Sequence, residues 1–374
     1  MRKRLVLVLS VAAAMSPLAA RAQPAAEPPL PPADPVLPAV ALDPRQAAFR
    51  AWLEGPFRAR ALAAGLRAET LDRELAGLSF NPRIIQLDNA QPDRSATTQM
   101  TFGGYLARQI NNNRINTGRR LRSDMAATLA GIEARYGVPA EILLGFWGIE
   151  TSYGTVTGNF DLVRSLATLA YEGRRRELFT AELVAALKLL ERGAIPRGAF
   201  VGSWAGATGQ PQFLPSSYLA HGVDGSGDGK ADIWNNASDA LASIANFVVA
   251  KGWKRGQPWV SRVFVPPALD RERVRNLTPT GECSGMNWRH SRWLTVGEWR
   301  ALGIQSLGGA LPADDTLATL IEPDGPGTGG YLTYGNYRAI MRYNCTNFYS
   351  LTVSYLADAI GGAPGALAAR GLRR

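Results

Sequence analysis

From Asp43 onward, apolar residues recur every three or four positions. DPRQAAFRAWLEGPFRARALAAGL places Phe49, Trp52, Leu53 and Phe57 on one side, the period of an amphipathic helix. The pattern continues over Leu71–Leu78, and Asn81-Pro82 breaks it. Two more helices are expected over Tyr105–Ile115 and Ser123–Tyr136. They lead into a stretch, AEILLGFWGIETSYG (140–154), that is apolar on nearly every face. Further amphipathic helices follow at Leu162–Tyr171 and Arg175–Gly193, and another at Asp239–Gly252, with Asp239 in the N-cap region.

Strand patterns come only later. Trp259–Val265, Arg292–Thr295, Leu317–Ile321 and Tyr331–Tyr334 are short and β-branched or aromatic, the last two joined by the turn-rich EPDGPGTGG. Helix returns at Phe348–Ile360, and the chain from Gly361 reads as a loose tail. The expected class is mainly α (α+β): a helical protein carrying one small antiparallel β subdomain.

Within 140–154, Pro139 suits a helix start, because its missing N–H would be unpaired there, and Gly154 suits the stop. Glu150 then falls in the last turn, one turn beyond Phe146 and Trp147 and on their face. Burial against aromatic rings and the negative end of the helix dipole both disfavour its charged form. A glutamate so placed suits general acid chemistry near neutral pH. The alternative is a rim glutamate turned to solvent or paired with an arginine, and this stretch alone leaves both open.

Residues 199–219 (AFVGSWAGATGQPQFLPSSYL) mix glycine, proline and small polar residues with Trp204, Phe213 and Tyr218, the composition of a cleft wall. Sugar polymers are bound by aromatic faces and side-chain amides, and Ser203, Gln212, Phe213, Tyr343 and Asn344 are residues of that kind. Ser203 and Gln212 could equally satisfy loop backbone. Arg174, Arg175 and Arg176 form either a solvated helix end or a clamp for a substrate carboxylate or acetyl group. DGSGDGKADIWN places oxygen side chains at Asp224, Ser226, Asp228 and Asp232 with Gly229 at the sixth position, the spacing of an EF-hand loop. Asn235 stands where such a loop has its bidentate glutamate, so an ordinary Asp/Gly turn competes with a metal loop.

The first 22 residues have the form of a cleavable export signal: Arg2, Lys3 and Arg4, then an apolar core from Leu5 to Met15, then Ala20-Arg21-Ala22. No cysteine follows the cleavage site to carry a lipid. Its removal leaves 352 of 374 residues and takes four cations, so the formal charge falls from +10 to +6. That excess favours anionic polymers and is too diffuse to argue for nucleic acid. Residues 23–42 are a Pro/Ala-rich linker. In an exported chain the two cysteines, Cys283 and Cys345, read as a disulfide, worth about 4 kcal/mol in the chain-entropy account. The two histidines, His221 and His290, are far apart and lack an HExxH pattern, so a zinc hydrolase and a His-based triad are poorly supported.

Four segments, GFWGIETSYG, SLATLAYEGRRRELFTAEL, GSWAGATGQPQFLPSSYLAHGVDGSGDGKADIW and AIMRYNCTNFY, resemble the lytic murein transglycosylase B family in order and spacing. The resemblance runs from about Gln46 to Gly361. It implies a soluble, monomeric periplasmic enzyme with a lysozyme-like catalytic core. Such an enzyme cleaves the β-1,4 MurNAc–GlcNAc bond of peptidoglycan glycan strands without water and leaves 1,6-anhydro-MurNAc ends. The family's acid/base falls on Glu150, and its glycan-contacting positions fall on Tyr105, Arg174, Arg175, Ser203, Gln212, Phe213, Tyr343, Asn344 and Tyr349. No cofactor is required. A structural calcium is implied at a loop spanning Asp224 to Asp239, with Asp224, Ser226, Asp228, Lys230 and Asp239 as ligands. Phe247 stands where a cleft tyrosine can occur, Thr208 replaces a usual methionine, and a Cys283–Cys345 bridge would brace the RYN loop.

The domain layout expected from these readings is an N-terminal helical region (43–125), the lysozyme-like core with its EF-hand-like loop at 224–239 (126–255), the β subdomain with its returning helix (256–362) and a tail (363–374). Two other functions remain open: a muramidase that uses water with Asp161 or Glu172 as base, and a non-catalytic peptidoglycan-binding protein.

Overall fold

A computed structural model describes residues 43–91 and 100–362; the expected export signal, linker and tail lie outside the described residues. The chain opens with α1 (Pro44–Trp52), a π-turn at Leu53–Phe57, α2 (Arg58–Ala63), α3 (Ala68–Leu75) and α4 (Pro82–Asn89). Asn81-Pro82, expected only to break a helix, also starts one. The Asn81 side chain accepts from the Arg83 N–H, and Pro82 takes the first helical position.

The single helix expected over 105–115 is two. Ile110 is extended and ends α5 (Phe102–Gln109), and the Asn111 side chain then caps α6 (Asn112–Asp124). α7 (Ala126–Tyr136) stops on the left-handed Gly137, and α8 (Ala140–Thr151) follows. A two-residue ribbon, β1 (Phe160–Asp161) against β2 (Val201–Gly202), is too short to show as a sequence pattern. Between its strands lie α9 (Leu162–Glu172) and α10 (Arg176–Glu191), packed on each other.

α11 (Pro215–His221) and α12 (Ala237–Ala250) come next. The N-cap of α12 is Asn236, not Asp239, because the Asp239 carboxylate is turned back onto loop amides. The sheet region holds β3 (Val260–Phe264), α13 (Ser284–Asn287), β4 (Leu294–Thr295), α14 (Val296–Ala301), β5 (Gln305–Ser306), β6 (Leu317–Ile321) and β7 (Gly330–Thr333). The strands run antiparallel in the order β4-β6-β7-β3-β5. α15 (Gly335–Met341) and α16 (Asn347–Gly361) bring the chain back to the helical body.

One core surrounds α8, fed by α7, α12 and α16; a second joins α1–α4 to α9 and α10; a third lies on the sheet. Leu143, Leu144 and Phe146 are fully buried in the first, each contributing about 2 kcal/mol of transfer free energy. Gly145 lets α16 close on α8: a Cβ there would stand 2.9 Å from the Val353 carbonyl oxygen. His290 ties the sheet to α16, with Nδ1 3.1 Å from Thr319 Oγ1 and Nε2 2.9 Å from Asn347 Oδ1. Burial holds its imidazole neutral, so it is a buried structural contact.

Candidate functional site

α8 stops at Thr151, earlier than the Gly154 stop expected from sequence. Ser152, Tyr153 and Gly154 are all left-handed, with φ of 49°, 62° and 81°. Left-handed backbone costs a non-glycine residue about 1–2 kcal/mol, so Ser152 and Tyr153 must be held there. Tyr153 is held by its hydroxyl, which donates to the Arg114 carbonyl at 2.8 Å, and by an edge-on contact of its ring with Trp147. Arg114 Nη2 donates to Ser152 Oγ at 2.9 Å. Thr151 donates from Oγ1 to the Gln210 carbonyl and accepts from the Gly154 N–H. These contacts fix the last turn of α8 and Glu150 with it.

Glu150 is half-buried among aromatic residues. The Tyr349 hydroxyl, from the first turn of α16, donates to Glu150 Oε1. Loss of hydration pushes the carboxyl up to about 7, against the Tyr349 hydrogen bond, which favours the charged form. Burial and then the Glu150 charge hold the Tyr343 and Tyr349 phenols well above their ordinary range, so both stay protonated donors. Tyr105 is raised for the same two reasons. The Tyr343 ring lies 4.7 Å from Phe146, 4.8 Å from Phe247 and 5.8 Å from Phe213, and it stacks on Tyr349 at 6.4 Å. The Tyr343 hydroxyl donates to the Pro211 carbonyl at 2.6 Å. The fold thus gathers Glu150, Tyr105, Phe213, Tyr343 and Tyr349, which are far apart in sequence.

The 203–218 stretch forms the adjoining wall. Gln212 is left-handed (φ 52°), and its Nε2 donates to the carbonyls of Thr157 and Gly209, both at 3.0 Å. Ser203 Oγ accepts from the Ala207 N–H at 3.0 Å. Both side chains therefore satisfy loop backbone, as one of their two readings held. Thr208 uses its hydroxyl twice, donating to the Val201 carbonyl and accepting from the Trp234 indole, each at 2.8 Å. A methionine has no proton for the first bond and only a weak acceptor for the second. Sequence reading passed over Gln210. Its Oε1 accepts from the Trp147 indole at 3.0 Å and its Nε2 donates to the Trp234 carbonyl, so it pins α8 to the loop. The available signal was a second glutamine in GQPQF.

Arg174 and Arg175 lie in the layer of α4, α9 and α10. Arg174 Nη2 donates to the Asp88 carbonyl at 2.6 Å, and Arg175 lies over the Phe179 ring at 5.1 Å. Asn344 is exposed beside Cys345, whose disulfide to Cys283 has a Cα–Cα distance of 5.2 Å. The candidate bases of a water-using mechanism are engaged elsewhere: Asp161 pairs with Arg197 and caps α9, and Glu172 pairs with Arg45.

In the 224–239 loop, Asp224, Asp228 and Asp239 bring carboxylate oxygens within 4.8 Å of one another. Asp239 is fully buried and accepts from the Gly225, Ser226 and Asp232 amides. Ser226 Oγ donates to Asp224 Oδ1, and the Lys230 amide donates to Asp228. Asp232, at the ninth EF-hand position, is instead taken up by the side chain and amide of Asn235. The carboxylate that completes the cluster is Asp239. Hard oxygen donors gathered in this way are the chemistry of a calcium site.

An acid at the end of an aromatic helix, roofed by tyrosines and walled by a glycine-rich loop, defines a lysozyme-like glycan-processing fold. The chain belongs to the transglycosylase SLT domain family, which matches residues 48–358. It is 35% identical over 231 residues to the membrane-bound lytic murein transglycosylase B of Escherichia coli (strain K12), an alignment that takes in 60% of this chain and 58% of that protein. Among solved structures it resembles SltB3 from Pseudomonas aeruginosa in complex with NAG-anhNAM-pentapeptide (38% identity, TM-score 0.75), over 85% of this chain and 81% of that one. It also resembles the Escherichia coli lytic transglycosylase Slt35 in complex with calcium (26% identity, TM-score 0.67), over 86% and 94%. No helix among the described residues is long and apolar enough to cross a membrane.

Proposed function

We propose that the protein is a lytic transglycosylase of peptidoglycan, with Glu150 as its single acid and base. The observation that carries this reading is the half-buried Glu150 carboxyl. It is pushed up to about 7 by lost hydration, is hydrogen-bonded by Tyr349, and among the described residues has no second carboxylate acting on it. Protonated Glu150 gives its proton to the glycosidic oxygen as the C1–O bond breaks, while the MurNAc 2-acetamido oxygen bonds to C1. The C6 hydroxyl then displaces that oxygen at C1, and ionised Glu150 takes the hydroxyl proton. The 1,6-anhydro ring closes and the acid is restored. Ordinary glycosidases need two carboxylates roughly 5–9.5 Å apart, whereas here the sugar supplies both nucleophiles. One residue with a pKa near the working pH is then sufficient, and the chemistry needs no cofactor.

Tyr105, Tyr343, Tyr349, Phe213, Ser203, Gln212 and Asn344 would contact the glycan along this cleft, with Arg174 and Arg175 at its far layer. Support comes from the relatives, named as lytic transglycosylases and, for one, solved with an anhydro-muropeptide. The 224–239 loop would hold a structural calcium through Asp224, Asp228 and Asp239, fixing the loop that α12 follows; Slt35, also solved with calcium, supports this. The residue 1–22 pattern supports export to the periplasm. Mass analysis of digested sacculi tests the reaction. Anhydro ends, lighter by one water than hydrolysed ends, are expected, and reducing ends alone would exclude it in favour of a muramidase.

A further inference from the structure

The end of α15 and the segment around α13 line an open pocket of about 390 Å³ whose lining includes none of the Glu150 cluster. Its lining includes Thr278, Thr280, Arg292, Trp293, Arg338 and Arg342. Arg338 is the unusual member. Its Nη1 donates to Asn287 Oδ1 at 2.5 Å, its Nη2 to Thr319 Oγ1 at 3.3 Å, and its guanidinium lies 5.3 Å from the centre of the Trp293 ring. None of these partners is an anion. It makes no ion pair among the described residues, and burial pushes the guanidinium down to about 10, so a counter-charge would be favoured there.

The one acid of the lining, Glu282, is already shared between Lys251 at 2.7 Å and Arg342 at 3.3 Å. Arg292 is exposed, and the carboxylate that feels its charge is Glu298, with no contact short enough for an ion pair among the described residues. Three arginines against one shared glutamate leave the lining with a surplus of positive charge, beside the Thr278 and Thr280 hydroxyls and the Trp293 ring. Guanidinium with hydroxyl donors recognises a carboxylate, and an exposed indole accepts aliphatic peptide beside it.

We propose that this pocket binds a free carboxylate of the peptidoglycan stem peptide while the glycan lies at Glu150. This rests on the reading of the protein as a peptidoglycan enzyme. Continuity of the chain supports it: Met341 and Arg342 line the pocket, and the next residue, Tyr343, lies near enough for the Glu150 charge to raise its phenol. Neighbouring Cα atoms are about 3.8 Å apart, and an extended tripeptide spans roughly 10 Å. The Cys283–Cys345 bridge ties the segment that carries Glu282 of the lining to the one that carries Arg342.

The test is titration of the full chain with the free tripeptide L-Ala-γ-D-Glu-diaminopimelate, followed by calorimetry. Wild type is expected to bind it, and Arg338→Met and Arg292→Gln each to weaken binding at least tenfold. The peptide with its carboxylates amidated should bind at least tenfold more weakly to wild type. Arg292 is exposed, so its variant decides the matter if Arg338→Met does not fold. No binding by folded wild type, equal binding of the amidated peptide, or unchanged affinity in the folded variants would overturn the proposal. Product analysis on the same preparation separates the two claims. Anhydro ends without tripeptide binding refute the pocket alone, and tripeptide binding without anhydro ends refutes the reaction alone.

Discussion

The Tyr349 hydroxyl donates to the Glu150 carboxylate across 199 positions of sequence, joining the last turn of α8 to the first turn of α16. The bond favours the ionised acid, while burial favours the neutral one, and burial prevails. Tyr349→Phe removes the opposing effect. The Glu150 pKa should then rise above about 7, and the alkaline limb of the pH–rate profile should move upward with it. The maximal rate should fall roughly tenfold, the size of one lost hydrogen bond to a charged group. An alkaline limb that stays in place, or moves to lower pH, contradicts the account.

The same shift makes a stability prediction. The folded chain keeps the Glu150 proton up to about pH 7, whereas an unfolded glutamate releases it near 4.5. Between those values the folded state binds more protons, so stability falls as pH rises through the window. Glu150→Gln carries no such penalty. At pH 8 it should be more stable than wild type by on the order of 2 kcal/mol, with the gap closing below pH 4.5. Urea unfolding at several pH values measures this, and a gap independent of pH would count against it.

Much of this site was legible before folding. Phe146 and Trp147 stand one helical turn before Glu150, so its shared face and raised pKa follow from spacing. Leu317–Ile321 was also legible, because a β-branched run next to turn residues has few alternatives. Other features depend on contacts that no local window contains. Tyr349 reaches Glu150 only after the sheet region returns the chain, and Ile110 breaks a helix that its apolar spacing would have continued. Asp239 looked like a helix cap because aspartate is a good one. The loop amides of Gly225, Ser226 and Asp232 compete for the same carboxylate and win.

The Cys283–Cys345 bridge closes a loop of 62 positions next to Tyr343 and Asn344. Cys345→Ser should cost the fold about 2–4 kcal/mol in denaturant unfolding. It should also raise KM more than it lowers kcat, because the loop it frees carries binding groups while Glu150 sits on α8. A fall in kcat at constant KM would show that the bridge serves the acid itself.

Calcium should raise the melting temperature of wild type in proportion to the logarithm of its concentration above Kd. Asp224→Asn and Asp239→Asn should lose that response, since their carboxylates belong to the cluster. Scanning calorimetry in chelator and in millimolar calcium checks it. Identical melting in both conditions would mean that the loop is held by its own Asx turns alone.

The central claim is that one carboxyl serves as both acid and base, and the most direct test is the rate of anhydro-muropeptide release by Glu150→Gln. Glutamine keeps the shape and can accept the Tyr349 hydrogen bond, but it has no proton to give or take. The account predicts a folded variant whose release from sacculi is slower by about 10²–10⁴. Release within threefold of wild type would contradict it.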